Sequence, residues 1–308
     1  MTKVGWVLLG VSGYVAACGL GDSSRQFISI GTGGTGGIYY PLGGALANRL
    51  SLADSTRQYT AEVTGGSVEN LNRIAGGEMD LGMSMAITAY EAYTGGLGFP
   101  QPQQNLRLVA PLYPNVTHIL ASPSGDMSTL RDARGRRVSV GPPGSGTEQV
   151  ARTILNAAGL TYDDIQVRYL SFREAADALR DGAIDMAFVS AGYPAAAVLE
   201  ATTSRSAILM PIPDDVAQSL VEEHTYFHLG EIPAGAYPRQ EHPLVTVTTL
   251  NWLVGSDALA PEVVLYVLRI LREERAQLER VHTIAAQIDL APLNRTPPLP
   301  FHEAARTP

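Results

Sequence analysis

Two glycine-rich loops contain the residue pattern best suited to binding a ligand. The first is Gly-Thr-Gly-Gly-Thr-Gly-Gly at 31–37, and the second is Gly-Pro-Pro-Gly-Ser-Gly at 141–146. Each follows a short apolar run and precedes a helical pattern, so each presents backbone N–H groups and the positive end of a helix. Two further helices are expected to begin at Ser67 and Ala86. The sequence therefore predicts four helix N-termini around one cleft, an arrangement that binds anions without a buried arginine.

The first loop also fits a second kind of chemistry. Gly31, Gly33 and Gly36 have the spacing of the dinucleotide-binding fingerprint, and Glu62 is a loose candidate for the acidic residue that binds the ribose. An exported oxidoreductase is therefore the alternative function, although a free nicotinamide pool is not expected outside the cytoplasm. A phosphate-binding P-loop is excluded because no Gly-Lys-Ser/Thr follows and Lys3 is the sole lysine. We predict no cofactor.

Other candidate catalytic and metal-binding residues form weaker patterns. His224 and His228 are four positions apart and would share one face of a helix as a metal pair, but no third ligand is obvious beyond Glu222 or Glu223. A partly exposed polar helix end is the favoured interpretation, and no metal is predicted. The sequence has no Gly-x-Ser-x-Gly elbow, and its one cysteine is Cys18. We therefore predict a binding protein without catalytic residues.

The N-terminus carries a targeting pattern. Residues 1–17 have a basic start, an apolar core and small residues before Cys18, as in a secretory signal peptide. Val-Ala-Ala-Cys also resembles a bacterial lipobox, which would make Cys18 the lipidated first residue; a buried structural cysteine is the alternative. Residues 18–26 are polar and form the predicted tether. We therefore expect an extracytoplasmic protein, in the periplasm or at the cell surface, held to the membrane by a lipid anchor.

Composition indicates the size and the class of the folded part. The 308 residues are 45% hydrophobic and 17% charged, which suits two compact lobes and excludes a disordered chain. With 22 basic and 30 acidic residues the net charge is −8, so neither nucleic acid nor an anionic lipid surface is an expected partner.

Short β-rich runs alternate with helical patterns, which predicts an α/β fold with a parallel sheet. The predicted strands include residues 28–30, 59–63, 81–85, 106–110, 116–121 and 245–254, and the predicted helices include 40–50, 86–93 and 261–282. Residues 229–240 are rich in proline and glycine and are expected to be a return crossing between lobes. Residues 291–308 are expected to form an irregular strap.

The pattern of the first third of the chain occurs a second time. Residues 138–146 match 28–36 in their strand, glycines and hydroxyl residue, and Gly-Ala-Ile-Asp at 182–185 matches Gly-Glu-Met-Asp at 77–80. Two matches in the same order indicate a duplicated lobe. We divide the chain into lobe 1, residues 27–115 plus 235–308, and lobe 2, residues 116–234.

Four longer motifs resemble one family of transport receptors. The stretches 31–43, 64–70, 144–148 and 190–194 are similar to the solute receptors of TRAP transporters in the TAXI group (TRAP-associated extracytoplasmic immunogenic proteins). The resemblance implies an α/β, two-lobed, periplasmic-binding-protein-like (type II) fold with a hinge and a central cleft. It also implies a small carboxylate ligand, such as glutamate or 2-oxoglutarate, that is delivered to the membrane permease subunits of a sodium-coupled TRAP transporter.

One departure from this family concerns the ligand. Many relatives have Gln-Ser-Asp where this chain has Met85, Ala86 and Ile87. The loss of these polar side chains predicts a smaller or less polar carboxylate, with Thr88 as the nearest remaining hydroxyl. A binding module that signals to a sensor would share every residue of this site, so it stays open as an alternative.

The predicted ligand contacts follow from the loops and the helix starts. The side chains expected to hydrogen-bond the ligand are Thr35, Ser67, Asn70, Ser145 and Thr147. The glycines expected to allow a close backbone approach are Gly34, Gly36, Gly65, Gly66 and Gly146. The other predicted contacts are Tyr39, Ala86, Thr88, Ala191 and Gly192.

Overall fold

The computed structural model describes residues 26–96, 98–124, 126–291 and 299–306. The predicted signal peptide, Cys18 and all but the last residue of the predicted tether lie outside these residues. The strands in the described residues are β1 (Gln26–Gly31), β2 (Arg57–Glu62), β3 (Leu81–Met85), β4 (Leu106–Ala121), β5 (Arg137–Ser139), β6 (Gln166–Arg168), β7 (Met186–Ala191), β8 (Ile208–Met210), β9 (His228–Ile232) and β10 (Leu244–Ser256). The α-helices there are α1 (Tyr39–Ala53), α2 (Ser67–Ala75), α3 (Ala86–Thr94), α4 (Gly146–Ala157), α5 (Phe172–Arg180), α6 (Ala196–Thr203), α7 (Asp214–Glu223), α8 (Pro261–Glu273) and α9 (Arg275–Glu279).

These strands form one mixed sheet. Its order is β2-β1-β3-β10-β4-β7-β5-β6, with β8 paired to β4 and β9 paired to β10. Strand β1 is parallel to β2 and β3, and β5 is parallel to β6 and β7. Strands β4 and β10 run antiparallel to each of their partners. The predicted α/β class is confirmed, and the prediction of a wholly parallel sheet is wrong at these two strands.

Strands β4 and β10 connect the two halves of the molecule. We call the part built on β1–β3 with α1–α3 half 1, and the part built on β5–β7 with α4–α6 half 2. Strand β4 is one strand where the sequence predicted two, at 106–110 and 116–121; its beginning pairs with the end of β10, and its last six residues pair with β7. The predicted lobe boundaries stay a proposal. The boundary between residues 115 and 116 lies inside β4. Strand β10 pairs with both β3 and β9, which favours a second crossing between the lobes inside β10 instead of at residue 235.

Each half has a buried apolar core of its own. In half 1, Leu42, Leu46 and Leu50 of α1 are spaced four residues apart and point into one buried cluster. In half 2, Ile154 of α4 and Phe188 of β7 belong to a separate cluster. The second cluster also includes Met85 and Ile87 of half 1, so apolar contacts join the two halves.

The repeated Gly-x-apolar-Asp motif has the same structural role in both halves. Asp80 accepts hydrogen bonds from the N–H and the hydroxyl of Ser29, at 2.8 and 3.0 Å. Asp185 accepts a hydrogen bond from the N–H of Arg137 at 2.8 Å and forms an ion pair with its guanidinium. Each aspartate therefore ties the start of a central strand to its parallel neighbour.

The C-terminal part differs from the prediction at two places. The predicted return crossing at 229–240 begins as β9, which pairs with β10. The predicted helix at 261–282 is divided into α8 and α9 at Glu274, whose carboxylate pairs with Arg49 of α1. Residues 300–302 lie beside β4, where the N–H of His302 donates to the carbonyl of Leu108 at 2.9 Å, and Glu303–Ala305 form a short 3-10 helix. No helix within the described ranges has both the length and the hydropathy that a bilayer span requires.

Candidate functional site

A cavity of about 50 Å³ lies between the two halves. The predicted site residues that line it are Gly34, Tyr39, Gly65, Gly66, Ser67, Ser145, Gly146, Thr147 and Ala191. The lining residues that the sequence did not predict as contacts are Gly33, Gly37, Ile38, Met85, Tyr113, Asn115, Pro142, Ser171, Phe172 and Ser190. Both glycine loops, which are far apart in the chain, therefore meet at one site.

Five helix N-termini converge on this cavity. The N-cap residues of α1, α2, α3, α4 and α5 all line it: Ile38, Gly66, Met85, Ser145 and Ser171. The first N–H groups of a helix have no partner inside the helix and carry a partial positive charge. Among the described residues that line the cavity, none has an ionisable acidic or basic side chain. The described lining therefore contributes helix-end dipoles and no charged side chain, an arrangement that favours an anion.

At the N-terminus of α4 the backbone faces the cavity, whereas the Ser145 side chain caps the helix. The Ser145 hydroxyl donates to the carbonyl of Pro142 at 2.6 Å and accepts from the N–H of Glu148 at 3.2 Å. The N–H groups of the next two residues, Gly146 and Thr147, point toward the helix N-terminus, where both residues line the cavity. We expect these two N–H groups, more than the Ser145 hydroxyl, to bind an anion.

Backbone contacts join half 1 to half 2 beside the cavity. The carbonyl of Gly144 in half 2 accepts hydrogen bonds from the N–H groups of Val68 and Glu69 in α2, at 3.1 and 3.2 Å. The carbonyl of Gly36 in half 1 accepts one from the N–H of Ala197 at 3.1 Å. At Gly65 a Cβ would lie 2.5 Å from the carbonyl oxygen of Pro143, so only glycine allows this approach. The structure is therefore a closed form of the two halves.

Buried amides and hydroxyls form one wall of the cavity. The Tyr39 hydroxyl donates to Oδ1 of Asn251 at 2.5 Å. Nδ2 of Asn251 donates to the carbonyl of Tyr113 at 2.9 Å and to Oδ1 of Asn115 at 2.7 Å. Burial raises the pKa of the Tyr39 hydroxyl, and hydrogen bonds with Ser67 and Asn115 oppose that shift only in part. Tyr39 is therefore neutral, and its network links α1 to the connecting strands β4 and β10.

Six predicted site residues do not line the cavity: Thr35, Gly36, Asn70, Ala86, Thr88 and Gly192. Thr35 is exposed, and Gly36 and Gly192 lie against residues of the opposite half. Ala86 and Thr88 are buried in the first turn of α3, behind Met85.

Asn70 has a structural role in half 1. Its Nδ2 donates to the carbonyls of Thr32 and Met83, both at 2.8 Å, and its Oδ1 accepts from the Thr64 hydroxyl at 2.7 Å. The amide is fully buried, so its polar atoms need these partners. The predicted hydrogen bond from Asn70 to a ligand would have to replace one of them.

The two histidines considered for a metal site do not share a helix. Helix α7 ends at Glu223, His224 follows it, and His228 is the first residue of β9. The His224 ring stacks on Tyr226, with ring centroids 5.3 Å apart, and its Nδ1 lies 3.1 Å from the Tyr226 hydroxyl. The alternative of a helical metal pair is therefore wrong, because the helix ends five residues before His228; His224 lies at a helix end, as the favoured interpretation predicts.

Comparison with known proteins identifies the family. A model of the NMT1-like family matches residues 30–307. The chain belongs to the NMT1-like family. The match covers both glycine loops and all elements from α1 to α9 of this NMT1-like protein.

Solved structures with the same fold come from other binding proteins. The alkanesulfonate-binding protein SsuA from Xanthomonas axonopodis pv. citri, bound to MOPS, has 17% identity and a TM-score of 0.52 over 86% of this chain and 85% of its own. A binding protein component of an ABC phosphonate transporter from Pseudomonas aeruginosa has 10% identity and a TM-score of 0.53 over 86% and 80%. These similarities confirm the predicted two-lobed fold of periplasmic binding proteins.

Proposed function

We propose that this NMT1-like protein is an extracytoplasmic receptor that binds a small organic anion between its halves and delivers it to a membrane transporter. The observation that carries the proposal is the convergence of five helix N-termini on one uncharged cavity. A helix end with free N–H groups stabilises a nearby anion by about 0.3–1 kcal/mol, and by more where water is excluded. The N–H groups of Val68 and Glu69 in α2 already donate to the carbonyl of Gly144, so α2 contributes less than the other helices. A neutral ligand of the same shape would gain none of this energy.

The lining favours a ligand with one negative charge. A second carboxylate would be buried without a cation, which costs several kcal/mol. Ile38, Met85 and Phe172 add apolar surface, which suits a ligand with a small apolar part. We therefore propose a small monocarboxylate in preference to glutamate or 2-oxoglutarate.

The proposed class of acid and class of transporter are supported by the sequence motifs more than by the names of the similar structures. The two solved structures described above carry the names of a sulfonate receptor and of an ABC phosphonate receptor. Helix N-termini bind any oxyanion, so they suit a sulfonate as well as a carboxylate. We favour a carboxylate and a TRAP-type permease because the TAXI-like motifs include the glycine loops that form the cavity. The signal pattern and Cys18 support a lipid-anchored location outside the cytoplasm.

Calorimetric titration of ligand-stripped protein tests this function. The panel is acetate, propionate, lactate, pyruvate, methanesulfonate, methylphosphonate, glutamate and 2-oxoglutarate. We expect a small monovalent acid to bind at least about tenfold more tightly than either dicarboxylate, which corresponds to about 1.4 kcal/mol. The proposal fails if no acid of the panel binds, if glutamate binds most tightly, or if NMR shows that a bound acid is turned over.

A further inference from the structure

The Phe172 side chain of half 2 lies against the first glycine loop of half 1. Phe172 is the first residue of α5, is half-buried and lines the cavity. A Cβ built on Gly37 would lie 3.3 Å from both Cδ2 and Cε2 of the Phe172 ring, and one built on Gly36 would lie 3.2 Å from Cβ of Phe172. The ring therefore packs directly on the backbone of residues 36–37 when the halves are closed.

This contact between the halves accounts for two glycines of the loop. A Cβ on Gly36 would also lie 3.0 Å from the backbone nitrogen of Arg173, and the Gly36 carbonyl accepts a hydrogen bond from the N–H of Ala197 at 3.1 Å. Side chains at positions 36 and 37 would crowd the N-terminus of α5, because protein interiors are packed with little spare volume. The end of the loop is therefore a docking surface for α5. Gly37 and Phe172 both line the cavity, so this surface borders the ligand site.

Phe172 differs from the lining residues Ile38 and Met85. Both of these belong to half 1, and each is only 3% exposed. The Phe172 ring reaches the loop from the opposite half, so it takes its place beside the site only on closure. The space that the ring fills against residues 36–37 is then not available to a ligand. The ring therefore limits how far an apolar chain can extend along the loop in the closed form.

We infer that Phe172 sets the length of the apolar part of the ligand, so that the closed site selects short-chain monocarboxylates over longer ones. The inference rests on the proposed function, in which the helix N-termini hold the carboxylate. Ser171, the N-cap of α5, also lines the cavity, so the ring lies next to one of these helix ends. A chain that extends from there toward residues 36–37 meets the ring, and it fits only if the ring moves or the halves stay apart.

Calorimetry with straight-chain acids tests the inference on the ligand-stripped full chain. The series is acetate, propionate, butyrate and hexanoate. We expect the wild type to bind propionate at least about tenfold more tightly than hexanoate, because the added methylenes would overpack the closed site. Phe172→Ala removes the ring, and each methylene that enters the vacated space gains about fourfold in affinity. This variant should therefore bind hexanoate at least as tightly as propionate.

Two further variants serve as controls. Phe172→Leu keeps an apolar side chain against the loop and should give an intermediate ratio of the two affinities. Tyr169→Ala removes an aromatic ring of half 2 that is 49% exposed and outside the cavity lining, so it should keep the wild-type ratio. Ser171 and Glu174 form the capping box of α5 without the Phe172 side chain, so the helix should begin normally in both Phe172 variants. Thermal melting of the ligand-free proteins checks that each variant is folded.

Two results would overturn the inference. One is a wild type that binds hexanoate as tightly as propionate, and the other is a Phe172→Ala variant that keeps the wild-type ratio. If Phe172→Ala binds no acid, Phe172→Leu decides, and an unchanged ratio in that variant also overturns the inference. Each of these results concerns chain length alone and leaves the proposed function standing. The proposed function itself fails if neither this series nor the panel above contains an acid that binds the wild type.

Discussion

A methyl group at Gly146 tests whether the ligand binds only when the halves are closed. A Cβ built on Gly146 would lie 2.5 Å from Cε of Met85, 2.7 Å from Oγ1 of Thr88 and 2.9 Å from Oγ of Ser67. Gly146 begins α4 in half 2, whereas all three contacted residues belong to half 1. The Met85 side chain can move aside, but the two short hydroxyl side chains cannot. Gly146→Ala should therefore destabilise the closed form and leave each half intact.

The size of the effect follows from the cost of overpacking. Inserting a methyl group into a packed site costs about 1–3 kcal/mol. Because the clash exists only in the closed form, that cost should appear as weaker binding, by about 5- to 150-fold. Calorimetry with the tightest-binding acid of the panel measures the affinity, and thermal melting without ligand checks the fold. The melting temperature should change little.

Gly44→Ala in α1 is the matched control. A Cβ at Gly44 would meet nothing within 4 Å, so the substitution adds helix propensity without a clash. It should raise stability by about 0.5–1 kcal/mol and leave the affinity unchanged. If Gly146→Ala binds as tightly as the wild type, the ligand does not require the closed arrangement of α4 against α2 and α3, and the reasoning is refuted.

Three further predictions concern stability and location. Burial opposes the ionisation of Asp54, but hydrogen bonds from Thr56, Arg57 and Tyr59 hold its pKa at about 2 against an ordinary 3.8. This carboxylate therefore contributes about 2 kcal/mol to the free energy of unfolding above pH 4, and the contribution is lost as the pH falls toward 2. Urea unfolding should show Asp54→Asn to be less stable than the wild type by that amount at pH 7 and equally stable at pH 2. Equal stability of the two proteins at pH 7 would contradict the prediction. Burial lowers the pKa of His118 to about 4 from 6.5, although its hydrogen bond to the carbonyl of Val189 opposes the shift. Between pH 6.5 and 4 the free energy of unfolding of the wild type should fall by about 3 kcal/mol more than that of His118→Gln, because the buried imidazole must become charged on unfolding. Urea unfolding measures both proteins, and parallel profiles of stability against pH would argue against this account. Expression of the full chain with Cys18→Ala should release the protein from the membrane fraction, and retention there would exclude lipidation at this residue.

The helix starts around the cavity were predictable because each has a local signal. The glycine loops mark α1 and α4, and Ser67 lies at the first position of α2. Ser171, the N-cap of α5, was missed as a site residue although it precedes the second Gly-x-apolar-Asp motif as Ser67 precedes the first. Because Ser67 was predicted as a site residue, its equivalent in the duplicated half, Ser171, could have been predicted from the same pattern.

The polar wall could not be predicted because it depends on pairing between distant strands. Tyr113 and Asn115 flank Pro114, and prolines inside a run favour a break in the strand. In the structure Pro111 lies opposite Trp252 and Pro114 opposite Leu250, with a shift of register between these pairs. The irregular pairing with β10 accommodates both prolines, so β4 continues and carries Tyr113 to the cavity. Asn251, which orients this wall, lies about 140 residues away in the chain and has no local motif.

The division of the helix ends between the halves explains how binding would drive closure. Helices α1, α2 and α3 belong to half 1, and α4 and α5 belong to half 2. An anion in an open form can interact with one set only, so the second set contributes binding energy solely when the halves meet. A ligand shifts a conformational equilibrium by its difference in affinity for the two states. The backbone contacts Gly36–Ala197 and Gly144–Val68 stabilise closure without ligand, and a bound anion adds the attraction of the opposite helix ends to them. Under the proposed function, a single small anion would therefore be sufficient to favour the closed form without any charged partner among the described lining residues.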